Sequence, residues 1–448
     1  MLIRSVLVAT TLSLLGCNGG SSDDGSESVA GGSCSIPDQN EYVYQKLKTN
    51  YLWPETIPDG LNSSSYSSPE TLLNALRYRE FDKYSYITTE AKYNAQSNNE
   101  YKATGIYFKW LVENGEDILI VRYTDENSPA RSAGVVRGDE IIEIDGMTIS
   151  EYIKKIEELN YDSWEKVRQG FGNPNDYVFK IRRTDSSEYT VSLIPVTYST
   201  NTVHDLKFFD TSANKVAYFA YKNFSSASKE EFKTAFSQIK RNQADALILD
   251  LRMNPGGSVL TANHLATRIA GQQVSSRTFA NFMFSAQRSN ENFSRPFKYN
   301  EVSDAVANLN TLYVLTSSNT CSASELVINS LKPFIDVKVV GGKTCGKPIG
   351  MYGHSFCGNI LFPIEFQLTN SQNEGGYFDG ISPSCEVDDD YAHRFGDESD
   401  PLLSTALRLS AGGSCTALRS RNLVNRPARS EPAFMIKSEP SQFKEDFF

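Results

Sequence analysis

Continuous apolar runs set the frame of the C-terminal half of the chain. Ala246-Leu247-Ile248-Leu249-Asp250-Leu251 does not alternate with polar residues, which is the pattern of a strand covered on both faces. Residues 216–219, 312–315 and 337–340 are shorter runs of the same kind. Between them, 229–241 places Phe232, Ala235, Phe236 and Ile239 on one helical face, and 259–270 and 324–331 read as two further helices. Such alternation predicts a layered α/β core. The N-terminal half has another texture. Over 38–97, Tyr42, Leu47, Tyr51, Leu72, Leu73, Leu76 and Phe81 recur at roughly helical spacing, with breaks at Pro54, Pro58 and Pro69. Ser68-Pro69 has the form of a cap followed by proline at the first helical position. From Tyr101 short strands take over: Gly105-Ile106-Tyr107-Phe108, then Ile118-Leu119-Ile120-Val121, then Glu140-Ile141-Ile142-Glu143-Ile144, with more over 178–196. A short helix ending at Gly134, a tight Gly138-Asp139 turn and an Asp145-Gly146 hairpin connect them. Beyond Ala411 the chain is polar and irregular, and 426–448 reads as a tail.

The first residues belong to targeting rather than to the fold. Arg4 precedes an apolar run over 6–15, too short to span a membrane and of secretory length. The run ends Leu14-Leu15-Gly16-Cys17, which resembles a bacterial lipobox and makes Cys17 the expected lipidated residue. The polar stretch 18–33 then reads as a tether from a membrane, and Asn18 after the cysteine favours an outer membrane. A net charge of −10 without a long basic run argues against a nucleic-acid surface. Cys17 aside, Cys34, Cys321, Cys345, Cys357, Cys385 and Cys415 form an even set in an exported chain, which favours disulfides. Their spacings fit no zinc site, so neither a metal nor another cofactor is expected. The pairing is open; a Cys345–Cys357 bridge would stiffen the segment after Lys347.

Candidate chemistry lies at strand ends. Ser322, in Cys321-Ser322-Ala323-Ser324-Glu325, follows one strand and precedes a helix whose free N–H groups favour developing negative charge. Ser322 or Ser324 would also serve simply as the N-cap, and Glu325 reads as structural. A serine needs a base, and the chain has four histidines to offer. A lysine serves if burial lowers its pKa; Lys347 follows the next strand in a glycine-bounded turn. Asp250-Leu251-Arg252-Met253-Asn254-Pro255-Gly256-Gly257 ends a third strand, where two glycines let backbone N–H groups approach a ligand, although N-P-G-G is also a good turn.

The segments D-L-R-x-N-P-G-G, S-A-S-E and T-x-G-K together resemble the carboxyl-terminal processing (tail-specific) protease family of Ser–Lys peptidases. The 25 residues from Ser322 to Lys347 agree with the family's spacing. The resemblance covers about 38–411. It implies Ser322 as nucleophile, Lys347 as general base, and an oxyanion hole from the N–H of Ala323 with that of Gly256 or Gly257. The S-P-A-x-x-A-G and G-D-x-I-x-x-I-D-G segments resemble a PDZ domain, whose peptide-end loop would be Thr104, Gly105, Ile106 and Tyr107, with Tyr107 where a second glycine is usual. The expected fold is therefore a layered, crotonase-like α/β catalytic domain (205–412) after a PDZ-like β-rich domain (101–198) and a small helical N-terminal region (38–100). A signal peptide (1–16) and a flexible tether (17–37) precede these, and a tail (413–448) follows. The implied activity is exported endopeptidase action on polypeptide substrates, with a lipid anchor to the membrane and no nucleic-acid partner. One departure stands out: the family's glutamine four residues after the lysine is Met351 here, and a thioether is a weak acceptor. Nothing in the sequence names a group that orients Lys347, and His354 reads as a loop or surface residue. Two rival readings remain. One is a peptide-binding lipoprotein with a degenerate site, motivated by Tyr107 and Met351. The other is a relative of the crotonase-type hydratases acting on thioesters, which leaves the serine-to-lysine spacing unexplained.

Overall fold

In a computed structural model, the structure describes residues 33–97, 100–113, 116–158 and 176–415. The signal-peptide reading of 1–16, the lipidation reading of Cys17 and the tail beyond 415 lie outside the described residues. The 246–251 run becomes the strand Ala246–Asp250, buried along its whole length. It lies within a six-stranded sheet ordered Val203–Asp210, Lys215–Tyr221, Ala246–Asp250, Thr311–Thr316, Asp336–Gly341, Cys385–Glu386. The first pair is antiparallel and the remaining neighbours are parallel. Successive side chains point to opposite faces, so each strand feeds two cores. Phe219, Leu247, Leu249, Leu312 and Val314 pack on one side against Phe232, Phe236, Leu265, Ile269, Leu326 and Val327. Those residues come from the helices Ser228–Arg241, Val259–Ala270 and Ala323–Leu331. Tyr218, Ile248, Tyr313 and Leu315 pack on the other side against Leu402, Leu403 and Ala406 of the helix Pro401–Ser410. Leu249 has no exposed surface, and Leu249→Ala would cost about 2–5 kcal/mol through lost transfer energy and the cavity left behind.

The β-rich unit is an antiparallel sheet ordered Ile106–Glu113, Glu116–Thr124, Glu140–Ile144, Tyr177–Arg182, Glu188–Leu193. Val121, Ile141, Phe179 and Ile181 lie at its core. Its turns follow the local chemistry: Ser128 accepts the Arg131 N–H to cap Pro129–Ser132, and Asp145 and Gly146 take φ of 51° and 79° in a hairpin. The N-terminal region holds the helices Ile36–Asn50 and Pro69–Leu76, the second capped by Ser68 as its sequence predicts. The strand Tyr86–Thr89 then pairs with Asn359–Phe362, which also pairs with His354–Phe356, so this region is bonded directly to the C-terminal half. Another antiparallel sheet runs Phe293–Pro296, Thr278–Phe284, Ile364–Thr369, Ile349–Met351.

Several expectations need correction. The bridges are Cys34–Cys357, Cys321–Cys345 and Cys385–Cys415, so Cys345 and Cys357 are not partners. Cys357 sits at the tip of the His354–Phe356 hairpin, whereas Cys321 and Cys345 lie in loops that leave two neighbouring parallel strands. The expected tether is ordered at its end, where Ser35 caps a helix and Cys34 is bonded to Cys357. His354 is a strand residue whose imidazole meets the buried Glu365 carboxylate.

Candidate active site

Three adjacent parallel strands, Ala246–Asp250, Thr311–Thr316 and Asp336–Gly341, release their loops at the same edge of the sheet. Crevices at the carboxyl ends of such strands are where α/β folds hold their ligands. Hydrogen bonds stitch the first two loops together. Thr320 Oγ donates to Leu251 O at 2.8 Å, Ser317 Oγ to Arg252 O at 2.7 Å, and both Cys321 N–H and Ser324 Oγ donate to Asn254 O at 3.1 Å. Ser324 is thereby used inside the fold. Arg252 anchors the same loop from below, with its guanidinium buried among the carboxylates of Asp250, Asp389 and Asp400.

Ser322 occupies the corner before the helix Ala323–Leu331 with φ 53° and ψ −111°. A non-glycine residue in such a conformation is held there by its surroundings, and a sharp strand-to-helix corner lifts a side chain off the sheet. Gly256 lies against this corner: a Cβ on it would stand 2.8 Å from both Cys321 O and Ser322 Cβ. Its φ of 107°, like the 133° of Gly257, also favours glycine. The Gly256 N–H donates to Asn254 Oδ1 at 2.9 Å. The N–H groups of Gly257 and Ala323 find no acceptor among the described residues.

Glu325 joins the serine corner to the lysine turn. Its Oε2 accepts the N–H of Ser322 at 2.9 Å and that of Lys347 at 2.8 Å, while Oε1 accepts the N–H of Gly346 at 2.8 Å and the Thr344 hydroxyl. Burial pushes this carboxyl up and the hydrogen bonds oppose that push. The Cys321–Cys345 disulfide, with its Cα atoms 5.1 Å apart, straps the same two segments. Cys321, Glu325 and Cys345 cluster closely enough to suggest a metal site, but both sulfurs are already bonded and offer no thiolate.

Lys347 is 2 % exposed, and its Nζ makes no hydrogen bond among the described residues. Burial draws its pKa down from 10.5 to about 7, with the carboxylates of Asp82 and Glu325 pulling the other way. The amine stands 4.8 Å from the centre of the Tyr84 ring. Met351 packs against the same apolar cluster as Tyr84, and its thioether is a weak acceptor. The structure thus gathers Ser322, Ala323, Gly256, Gly257 and Lys347 at one edge. Thr104, Gly105, Ile106 and Tyr107 lie elsewhere and are buried. A Cβ on Gly105 would stand 2.1 Å from Ser128 Cβ, and the Tyr107 hydroxyl meets Asp125 and Lys222. Sequence reasoning missed Tyr84 and Asp82, which reach the site by chain return from the N-terminal region and follow no local pattern.

Residues 215–387 match the family described as Peptidase family S41, and residues 38–86 match the Peptidase S41 N-terminal domain. Over 231 residues the chain is 29 % identical to a carboxyl-terminal-processing protease of Picosynechococcus, covering 52 % of this chain and 51 % of that one. Over 241 residues it is 24 % identical to carboxy-terminal processing protease CtpB of Bacillus subtilis, covering 53 % and 45 %. The chain therefore spans about half the length of these relatives. A candidate S41 protease of Bacteroides fragilis, known from a crystal structure, shares the fold with a TM-score of 0.68 at 23 % identity, over 83 % of this chain and 97 % of that one. The matched domains and the mixed α/β sheets are those found in peptidase family S41. Residues 38–86 and 215–387 thus carry the two domains of peptidase family S41, and the chain resembles the carboxyl-terminal processing proteases.

Proposed function

We propose that the chain is a Ser–Lys endopeptidase in which Ser322 is the nucleophile and Lys347 the general base. The observation that carries this reading is the buried Lys347 amine, drawn to about 7 and tied through Glu325 to the strained Ser322 corner. An amine in that range is substantially neutral near neutral pH and accepts a proton from a hydroxyl. As Ser322 Oγ attacks the scissile carbonyl, its proton passes to Lys347 Nζ. The oxyanion lies between the N–H groups of Ala323 and Gly257, each such donor being worth about 3–4 kcal/mol in the transition state. The Lys347 ammonium then protonates the leaving amine; in deacylation neutral Lys347 accepts a proton from the attacking water and returns it to Ser322 Oγ as the acyl–oxygen bond breaks. Gly256 serves by close approach, since its own N–H is already bonded.

The same reading makes the chain an exported lipoprotein anchored through Cys17, with a crotonase-like catalytic layer and a PDZ-like unit acting on polypeptides. Thr104 to Tyr107 are closed in this structure, so capture of a peptide end there requires the loop to open. The test is cleavage of an unfolded protein by Ser322→Ala and by Lys347→Ala. Each should lose at least about a thousandfold in kcat; wild-type turnover by either variant removes the dyad.

A further inference from the structure

Lys347 lacks the hydrogen-bond acceptor that would fix a buried amine, and Met351 does not supply one. A flexible four-carbon side chain must nevertheless hold its amine toward Ser322 for proton transfer to be efficient. The group that faces the amine is the ring of Tyr84, with its centroid 4.8 Å from Nζ. Tyr84 is itself fixed at three points. Its N–H donates to Asp82 Oδ1 at 2.9 Å, its hydroxyl lies 3.4 Å from Gly346 O, and its ring is buried in the cluster that includes Cys321 and Ile349. Asp82 is anchored in turn, accepting the Tyr51 hydroxyl at 2.6 Å and the Ser85 N–H at 2.8 Å. An aromatic face attracts an ammonium, most strongly where water is excluded.

We infer that Tyr84, carried by the N-terminal region, is the positioning residue of Lys347: its ring seats the neutral amine and stabilises the ammonium formed when Ser322 gives up its proton. The inference rests on the Ser322–Lys347 reading. The ring face does the work, because the hydroxyl contact to Gly346 is long for an O–H···O bond. The helical lead-in is then part of the active site rather than an appendage, since the base is unsupported without it.

The test compares full-chain wild type, Tyr84→Phe, Tyr84→Leu and Ser322→Ala on a labelled unfolded protein, with kcat and KM taken from about pH 5 to 9. Leucine keeps an apolar side chain in place but removes the ring. Tyr84→Phe should stay within about threefold of wild type. Tyr84→Leu should lose about ten- to thirtyfold in kcat with KM within about twofold, and its acid limb should move about one pH unit lower as the ammonium loses its partner. The Lys347 side-chain nitrogen, followed by NMR and assigned with Lys347→Met, should titrate lower in Tyr84→Leu and unchanged in Tyr84→Phe. Equal kcat, pH limb and titration in the Leu and Phe variants overturns the inference. If Ser322→Ala cleaves like wild type, the dyad falls instead, and the titration alone still decides whether the ring holds the amine.

Discussion

Among the described residues, Lys347 is buried and Lys222 half-buried over a tyrosine ring, and their polar surroundings differ. Lys222 Nζ stands 4.6 Å from the centre of the Tyr107 ring, bonds the Tyr107 hydroxyl at 2.7 Å and pairs with Asp125 at 2.7 Å. Lys347 Nζ stands 4.8 Å from the Tyr84 ring and makes no hydrogen bond. The first lysine joins the α/β sheet to the β-rich unit, with every charge answered. The second has backbone donors near it occupied by Glu325, while its amine makes no hydrogen bond among the described residues. A paired buried amine serves cohesion. An unpaired one costs stability and gains reactivity.

The largest effect expected from this contrast is at Lys222. Lys222→Met removes the cation from Asp125, whose side chain is fully buried. The tyrosine hydroxyls of Tyr107 and Tyr198 remain as donors, but a carboxylate without its cation in that place should cost about 3–5 kcal/mol. Urea unfolding midpoints at constant slope would read the loss. A change below about 1 kcal/mol would mean that the pair is not what closes the turn at Thr104 to Tyr107, and that turn would become a better candidate for receiving a peptide.

The sequence revealed these two lysines unequally, for physical reasons. The strand Ala246–Asp250, the helix Val259–Ala270 and the corner at Ser322 were legible because burial on both faces, helical periodicity and a strand-to-helix change are local patterns. Gly256 and Gly257 were legible as close-approach positions, although only the structure separates them, by the Asn254 side chain that occupies the Gly256 N–H. Tyr84 and the Lys222–Asp125 pair were not legible, since each joins residues far apart in the chain. The disulfide partners were hidden for the same reason: which strands lie side by side decides which cysteines meet, and sequence distance does not.

A second way to sharpen the contrast is to cut the strap beside Lys347. Cys321 and Cys345 are separated by 24 residues, and closing a loop of that size stabilises by about 3 kcal/mol. Cys321→Ser with Cys345→Ser should lower stability by that order. It should also lower kcat, because Glu325 alone then holds the serine corner against the lysine turn. Calorimetry and turnover on the same preparation would separate the two effects. Wild-type kcat in the double variant would show that the hydrogen bonds of Glu325 suffice, and that the disulfide acts on the unfolded chain alone.

The smallest expected effect has the opposite sign to that at Lys222. Folding moves the Lys347 pKa from 10.5 to about 7, so between those values the unfolded chain holds a proton that the native chain has released. Stability attributable to this group therefore rises with pH across that window, and the penalty for burying it is full at and below pH 7. Lys347→Met keeps the volume and removes the penalty. It should abolish turnover yet make the protein more stable by about 1–3 kcal/mol at pH 6, with the gain fading as the pH approaches 10. Thermal unfolding of both proteins at the two pH values checks this. A methionine variant less stable than wild type at pH 6, or a gain that grows with pH, would mean that Lys347 is answered by its surroundings as Lys222 is, and the distinction between a cohesive and a reactive lysine would fail at its reactive end.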